Sequence, residues 1–189
     1  LWSPGWSPQW CLYLLPLVFM LHDFEEIVMM KSWAADNVAG LQRRFPRLSK
    51  KLLGHFSGLS TSAFALAVAE EFVLISVFTV ATVERGWFAW WTALLLAFFF
   101  HLLVHIGQFI VYRSYIPAVI TSLPAGLYCI FALQVVLKHT GLTWQQIALP
   151  FGVMLAVTAV NLWAAHRLAA WFEVRRHDHL HEKNITDQS

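Results

Sequence analysis

Four ionisable residues interrupt the first long apolar stretch of this sequence, and their spacing would let them act together. His22 and Glu26 are four residues apart, so they share one face of a helix, and Glu25 flanks that face. Asp23 is expected to face the inner lipid headgroups instead. A charged side chain at the centre of a bilayer costs at least ~2.5–3.5 kcal/mol. Charges retained within such a stretch therefore indicate a functional site.

Two further apolar stretches also carry acidic or histidine residues, as the first one does. Glu70 and Glu71 have at least ten mostly apolar or small residues on either side. Adjacent helical residues are about 100° apart, so one Glu can point into a bundle while the other points beside it. His101, His105 and Gln108 form a stripe at i, i+4 and i+7 of the third stretch. Gln108 is expected to lie beside the ligands rather than among them.

Four carboxylates and three imidazoles in a dry bundle would suit divalent metal ions. Unpaired carboxylates together would mostly protonate, and the set contains no Lys or Arg. Metal binds carboxylates and neutral imidazoles, and its charge balances the acid. The supply suits two metals, as in the di-iron sites of four-helix bundles, whereas one zinc would need only three or four ligands. The candidate ligands are His22, Glu25, Glu26, Glu70, Glu71, His101 and His105. For any one of them, hydrogen bonding between helices is the alternative interpretation.

The composition requires helices in a membrane to position these residues. Of the 189 residues, 58% are apolar and 13% are charged, and the mean hydropathy is +0.58. Soluble domains contain about 25% charged residues, so this chain has too few to cover a water-soluble globule. Disorder would need the opposite composition. The two cysteines lie in apolar runs and indicate no disulfide framework.

Five stretches are long enough to cross a bilayer as helices, which takes about 20 residues. They cover residues 11–30, 58–83, 87–112, 116–137 and 143–171. They are too long and too uniformly apolar for the strands of a membrane barrel. We therefore expect an all-α membrane protein with one domain over residues 1–189. It would be a bundle of five transmembrane helices followed by a tail over residues 172–189.

The basic residues fall almost entirely on one side of these spans. That side holds 11 of the 13 Lys and Arg, and only Arg85 and Lys138 lie opposite. The positive-inside rule then places the N-terminus outside and the C-terminus in the cytoplasm, as in a multi-pass protein of the inner membrane. An aromatic belt at the outer interface agrees with this, and it would contain Trp2, Trp6, Trp10, Trp87, Trp90, Trp91 and Trp144. The orientation also brings the three polar sets to one depth, from the bilayer centre toward the cytoplasm.

Two polar segments outside the spans have simpler interpretations. The basic run over residues 43–51 is typical of an interfacial segment on anionic lipid, and no nucleic-acid partner is expected. His177, His179 and His181 are interpreted as part of a solvated tail.

The leading hypothesis is an integral membrane metalloenzyme with two metals, of which iron is favoured and zinc is the alternative. It would oxidise or hydroxylate a lipophilic substrate taken from membrane lipid. Glu25, Glu71 and Gln108 are the candidate catalytic side chains. One alternative is a hydrolase with one metal or none, in which a Glu activates water. The other is a proton- or ion-coupled transporter, which would need to form an oligomer because five helices without a repeat are few for a carrier.

In combination, these motifs resemble a family of bacterial membrane proteins that is named for an HxxEE motif. The motif reads His22-Asp23-Phe24-Glu25-Glu26 here, and the resemblance continues through AVAEEF, FHLLVHIGQ and RSYIPAVITS, over roughly residues 20–125. The resemblance implies a membrane protein with these site residues, and it implies no particular reaction.

Two other groups share only fragments with the chain. Membrane-embedded CAAX-type proteases carry EExxxR, but Ile75 stands where the Arg is expected. Membrane desaturases and hydroxylases carry HxxxH, as His101 and His105 do, but their HxxHH boxes are missing from this sequence.

Overall fold

The computed structural model describes residues 9–46 and 60–186, with side chains described except at position 166 and from position 176 onward. The described residues form a helical protein with short connections. Its helices are α1 (Trp10–Tyr13), α2 (Leu15–Arg44), α3 (Thr61–Glu84), α4 (Phe88–Tyr112), α5 (Val119–Thr140) and α6 (Trp144–Thr186). Trp2, Trp6, residues 47–59 of the basic connection and the side chains of the His-rich tail lie outside this description.

Among the described residues, four helices are long and apolar enough to cross a membrane, namely α3, α4, α5 and residues 144–175 of α6. They correspond to the second to fifth predicted spans. α2 is 30 residues long, but its acidic cluster and Lys31 make it less apolar. It also continues well past the predicted end at Met30, because no helix-breaking residue intervenes before Pro46. The residue before a proline is disfavoured in helical conformation, and Phe45 accordingly has φ −126° and ψ 70°.

Local signals set the other helix ends. Pro16 lies in the first turn of α2, where its missing N–H costs nothing. Ser60 caps α3 by accepting a hydrogen bond from the backbone N–H of Ala63 at 3.2 Å. Gly86, at φ +68°, makes the tight turn from α3 into α4, and Gly141, at φ +66°, ends α5.

Ring contacts show that α2 and α4 run parallel. Phe19 packs edge-on against Phe98 with centroids 5.8 Å apart, and further along both helices Trp33 packs edge-on against Tyr112 at 5.9 Å. Aromatic pairs at these separations contribute beyond the area that they bury. The side chains of the two helices therefore meet across the core of the bundle over about half of the length of each helix.

The helices α3 and α5 run opposite to α2. Tyr13, just before α2, donates a hydrogen bond to Glu84 at the end of α3. The Tyr128 hydroxyl, near the middle of α5, donates to the carbonyl of Cys11 at 2.9 Å, whereas Thr121 at the start of α5 donates to Glu25, further along α2. The long helices from α2 to α5 thus alternate in direction.

The helices α2, α3, α4 and α5 surround a common core, and α6 packs outside them against α3 and α4. We call these four helices the ring. Small side chains line the contact between α3 and α6, namely Ala63, Ala67, Ala165 and Ala169. Such residues allow close approach of helices in a membrane.

One half of the ring interior is apolar and the other half contains polar side chains. The apolar half contains buried residues over 11–19, 91–98 and 125–136. His22 and His101 follow directly after the first two of these segments. Trp10, Trp87, Trp90 and Trp144 are exposed near helix ends, as expected for an aromatic belt, whereas Trp91 is fully buried in the apolar half.

Candidate metal centre

Three imidazole rings meet inside the ring of helices. His22, His101 and His105 each offer a nitrogen within 4.8 Å of the nitrogens of the other two. His101 and His105 are one turn apart on α4, so they project from the same side. His22 on α2 lies edge-on to both, with centroid distances of 5.4 and 5.2 Å. His22 is 0% exposed and His105 is 6% exposed, whereas His101 is partly exposed.

The closest two nitrogens are Nε2 of His101 and Nε2 of His105, which lie 3.0 Å apart. Two nitrogen ligands that each lie about 2.0–2.1 Å from one metal ion are ~3 Å apart at a right angle and ~3.4 Å apart at a tetrahedral angle. The pair is therefore spaced for one hydrogen bond or for one shared cation.

A carboxylate group adjoins the imidazoles. Asp23, Glu26 and His101 each offer a ligand atom within 4.8 Å of the others. Oδ1 of Asp23 lies 4.0 Å from Nε2 of His22, and neither atom has a hydrogen-bond partner among the described residues. Leaving buried polar atoms without partners costs about 1–3 kcal/mol each. A cation bound to both atoms at about 2.0–2.2 Å would span this gap and satisfy both.

The sequence-based expectation for Asp23 was wrong. Asp23 is only 4% exposed and faces the ring interior instead of lipid headgroups. It lies three residues before Glu26, so the two share a face of α2, and the polar stripe of this helix is wider than the spacing of His22 and Glu26 alone indicates.

The two glutamates of α3 face different neighbours. Glu71 is close enough to Asp23 and Glu26 for their charges to repel one another. Oε2 of Glu70 instead accepts a hydrogen bond from Nδ2 of Asn161 on α6 at 3.4 Å. The angle between adjacent helical residues produces this division, which places Glu71 beside the site and Glu70 at the contact with α6. Asn161 was not assigned a role from the sequence, although a lone amide in an apolar helix is a signal that it has a partner.

Glu25 lies beside the imidazoles and is fully engaged by the start of α5. Its Oε1 accepts from the Tyr115 hydroxyl at 2.8 Å and the Ile120 N–H at 3.4 Å. Its Oε2 accepts from the N–H and the hydroxyl of Thr121 at 2.8 and 2.7 Å. α5 has no side-chain cap of its own, because Ala118 occupies the cap position at φ +69°. Glu25 therefore caps α5 from another helix, with the stabilisation expected of an anion at a helix N-terminus.

Tyr115 is coupled to this carboxylate. Burial raises the pKa of Tyr115 above its ordinary value, and the hydrogen bond to Glu25 and the charge of Glu25 raise it further. The hydroxyl therefore stays protonated and remains a donor to Glu25.

Some of the predicted site residues converge in the structure and others do not. Gln108 is exposed on α4 and lies in neither ligand group. Glu25 is hydrogen-bonded to the start of α5, and Glu70 is hydrogen-bonded to Asn161 of α6. Sequence reasoning missed the contributions of Asp23, Thr121 and Asn161. We call the residues that converge the histidine–carboxylate cluster: His22, Asp23, Glu26, Glu71, His101 and His105.

Aromatic side chains shield the cluster on one side. The Phe98 ring lies nearly parallel to that of His101, with centroids 6.5 Å apart and 19° between the planes. It also packs edge-on against His22, at 5.8 Å. The cluster therefore borders directly on the apolar half of the ring, as a site for lipophilic molecules would require.

Comparison with known proteins places the chain in a family. Residues 13–132 match the model of a family described as "Protein of unknown function with HXXEE motif". No curated protein and no solved structure matches the chain. The matched region contains α2, α3, α4 and most of α5, so it includes the whole cluster, while α6 lies beyond it. Because this region is more than half of the 189 residues and contains the motif from His22 to Glu26, the chain belongs to the HXXEE family.

Proposed function

We propose that this chain is an integral membrane metalloenzyme that holds two divalent metal ions, specifically iron, in its histidine–carboxylate cluster. It would oxidise or hydroxylate a lipophilic substrate. One observation carries the proposal: three imidazoles, two of them buried and one partly exposed, converge within 4.8 Å beside a second group of potential ligands, which shares His101 with the first. Hydrogen bonding between helices would not by itself require five side chains with metal-ligating atoms so close together.

The charge of the cluster supports two ions. Asp23, Glu26 and Glu71 bring three negative charges into the ring when ionised, and the three imidazoles are ligands in their neutral form. Two divalent ions neutralise these carboxylates with one positive charge to spare. Imidazole nitrogen and carboxylate oxygen form the donor set of di-iron sites in helical bundles. Because the two ligand groups share His101, the ions would be neighbours.

Bound metal at this position would supply activation of dioxygen, the oxidant in this proposal. Hydroxylation takes one oxygen atom into a substrate C–H bond and releases the other as water, with two electrons from an external reductant and two protons. Glu71, which lies beside the two ligand groups rather than in them, would relay the protons. The apolar half of the ring would hold the hydrocarbon part of the substrate and keep water away.

The proposal includes five membrane spans, with the N-terminus outside and the C-terminus in the cytoplasm. α2 is counted as a span because it packs against α3 and α5 and its aromatic side chains meet those of α4 across the core. Asp23 and Glu26 belong to the cluster and Glu25 is hydrogen-bonded to the start of α5, which lowers the cost of placing these three carboxylates in a bilayer. The distribution of Lys and Arg supports this orientation, and the inner membrane is the proposed location.

Metal content of the purified protein tests the proposal. The chain is expressed with added iron or zinc, purified in detergent and subjected to elemental analysis, together with His22→Ala and His101→Ala. His139→Ala is the matched control, because His139 is an exposed residue at the end of α5. We expect about two irons per chain in the wild type and the control, and about one or fewer in the other variants. Less than about one metal in wild-type protein from either medium would contradict the proposal.

A second candidate is a hydrolase with a single zinc. Three imidazoles are a complete protein ligand set for catalytic zinc, with the fourth position left for water. Glu26 adjoins His101 within the second ligand group and could act as the general base. One zinc per chain without iron, together with metal-dependent cleavage of an ester or amide in detergent, would favour this candidate.

A further inference from the structure

We propose that Glu25 and Thr121 are positioning residues that hold His22 ready to bind metal through Nε2, and that neither of them is itself a ligand. The Thr121 hydroxyl lies between the Glu25 carboxylate and Nδ1 of His22, at 2.7 Å and 3.2 Å. The identity of what His22 binds rests on the proposed function, whereas the protonation of its ring follows from these contacts alone.

The single hydroxyl proton of Thr121 determines the arrangement. Four acceptors surround Oγ1: Oε2 of Glu25 at 2.7 Å, Nδ1 of His22 at 3.2 Å, and the carbonyls of Ala118 and His22 at 3.3 and 3.4 Å. The carboxylate is both the nearest acceptor and a charged one, and charge-assisted bonds are the short, strong ones. The proton therefore goes to Glu25, and the hydroxyl oxygen is free to accept a hydrogen bond from Nδ1–H of His22.

The hydrogen bonds of Thr121 determine which nitrogen of the His22 imidazole carries the proton. A neutral imidazole that carries its proton on Nδ1 has a lone pair on Nε2. Nε2 of His22 is the atom that lies 4.0 Å from Oδ1 of Asp23 and lacks a hydrogen-bond partner among the described residues. The lone pair of His22 thus faces the cluster, which is the state that a metal ligand requires.

Glu25 is held firmly enough for this role. Its two oxygens receive four hydrogen bonds from Tyr115, Ile120 and Thr121, and they lie at the N-terminal end of α5. These donors and the helix dipole favour the ionised carboxylate. Metal-bound histidines commonly donate their second ring N–H to a carboxylate, and loss of that partner typically costs about 10–100-fold in metal affinity. Here a threonine hydroxyl lies between the imidazole and the carboxylate.

The experiment compares Thr121→Val, which removes the hydroxyl, with Thr121→Ser, which keeps it. Ser122→Ala is the matched control, because Ser122 is the adjacent buried residue and donates to the carbonyl of Ala118 at 2.7 Å. Two quantities are measured on the full chain in detergent. They are the ¹⁵N NMR spectrum of His22 in metal-free protein, assigned by its loss in His22→Gln, and the affinity for Fe²⁺ and Zn²⁺.

We expect His22 to be protonated on Nδ1 in the wild type, in Thr121→Ser and in Ser122→Ala, and to lose this preference in Thr121→Val. Metal affinity should fall about 10–100-fold in Thr121→Val and stay near the wild-type value in the other two. If wild-type His22 is protonated on Nε2, the inference is overturned without any variant having to fold. If the wild type binds metal, equal metal affinities in Thr121→Val and Thr121→Ser would also overturn it.

The two proposals fail in different ways. If His22 is protonated on Nδ1 in a Thr121-dependent manner but no metal binds, the arrangement of Glu25, Thr121 and His22 stands and the proposed metalloenzyme function fails.

Discussion

Nε2 of His101 lies 3.0 Å from Nε2 of His105, one turn further along α4. If both nitrogens bind the same ion, substitution of either histidine already weakens binding of that ion. Substitution of the second histidine then lowers the metal affinity by a smaller factor. We therefore expect the double variant of His101→Ala and His105→Ala to lose less metal affinity than the product of the two single losses. Competition titration with a chelator measures all three variants. Losses that multiply would place the two imidazoles on separate ions.

Substitution of Asp23 should affect metal binding and stability in opposite directions. Asp23→Asn removes a proposed ligand, so we expect metal affinity to fall at least about tenfold. In metal-free protein the same change removes a buried carboxylate that repels Glu26 and Glu71. The free energy of unfolding should then rise by on the order of 1 kcal/mol.

The control for this prediction is Asp36→Asn, because Asp36 is an exposed residue on the same helix. It should leave both quantities unchanged. Denaturation in detergent with and without metal measures stability. A metal-free Asp23→Asn protein that is less stable than the wild type would show that the Asp23 carboxylate is satisfied without a cation.

The Tyr115 hydrogen bond should stabilise the protein up to high pH. Tyr115→Phe removes one donor to Glu25, which we expect to cost about 1 kcal/mol of unfolding free energy. The pKa of Tyr115 is raised by burial and then by Glu25. The contribution is therefore complete below the unfolded-state pKa, near 10, and is lost as the pH rises through the higher folded-state pKa.

The measurement is the stability difference between wild type and Tyr115→Phe as a function of pH. It should be constant from neutral pH to about pH 10 and should shrink above that. Absorbance of tyrosinate gives an independent reading, because the variant should lack one late-titrating tyrosine. A difference that shrinks already near neutral pH would contradict the assignment.

Single cysteines should report the orientation of the chain in the membrane. His139→Cys, in the last turn of α5, and Ser114→Cys, in the connection between α4 and α5, introduce exposed thiols at opposite ends of the ring. A membrane-impermeant maleimide should label His139→Cys in intact cells, and it should label Ser114→Cys only after the membrane is opened. The parent chain is the control, because its free Cys11 and Cys129 are both buried. The reverse labelling pattern would invert the proposed topology.

The sequence predicted the helices whose length is set by an apolar stretch, and α3, α4 and α5 begin and end within three residues of the predicted spans. α6 begins at the predicted place but continues to Thr186, through most of the segment predicted as a tail over residues 172–189. The spacing of His101 and His105 likewise showed that they share a side of α4, because the geometry of one helix is local. The rotation of α2 about its axis depends on its neighbours, so the burial of Asp23 was missed. The partner of Glu70 depends on where α6 packs, and the contacts of Thr121 depend on how α5 meets α2. None of these relationships is encoded in the spacing of one segment.

Every member of the histidine–carboxylate cluster comes from α2, α3 or α4, and α6 reaches this region through the contact of Asn161 with Glu70. α6 thus supports the ring from outside without contributing a side chain to the cluster. Substitutions in α6 should therefore leave the side chains of the cluster in place, provided that Glu70 keeps a polar neighbour.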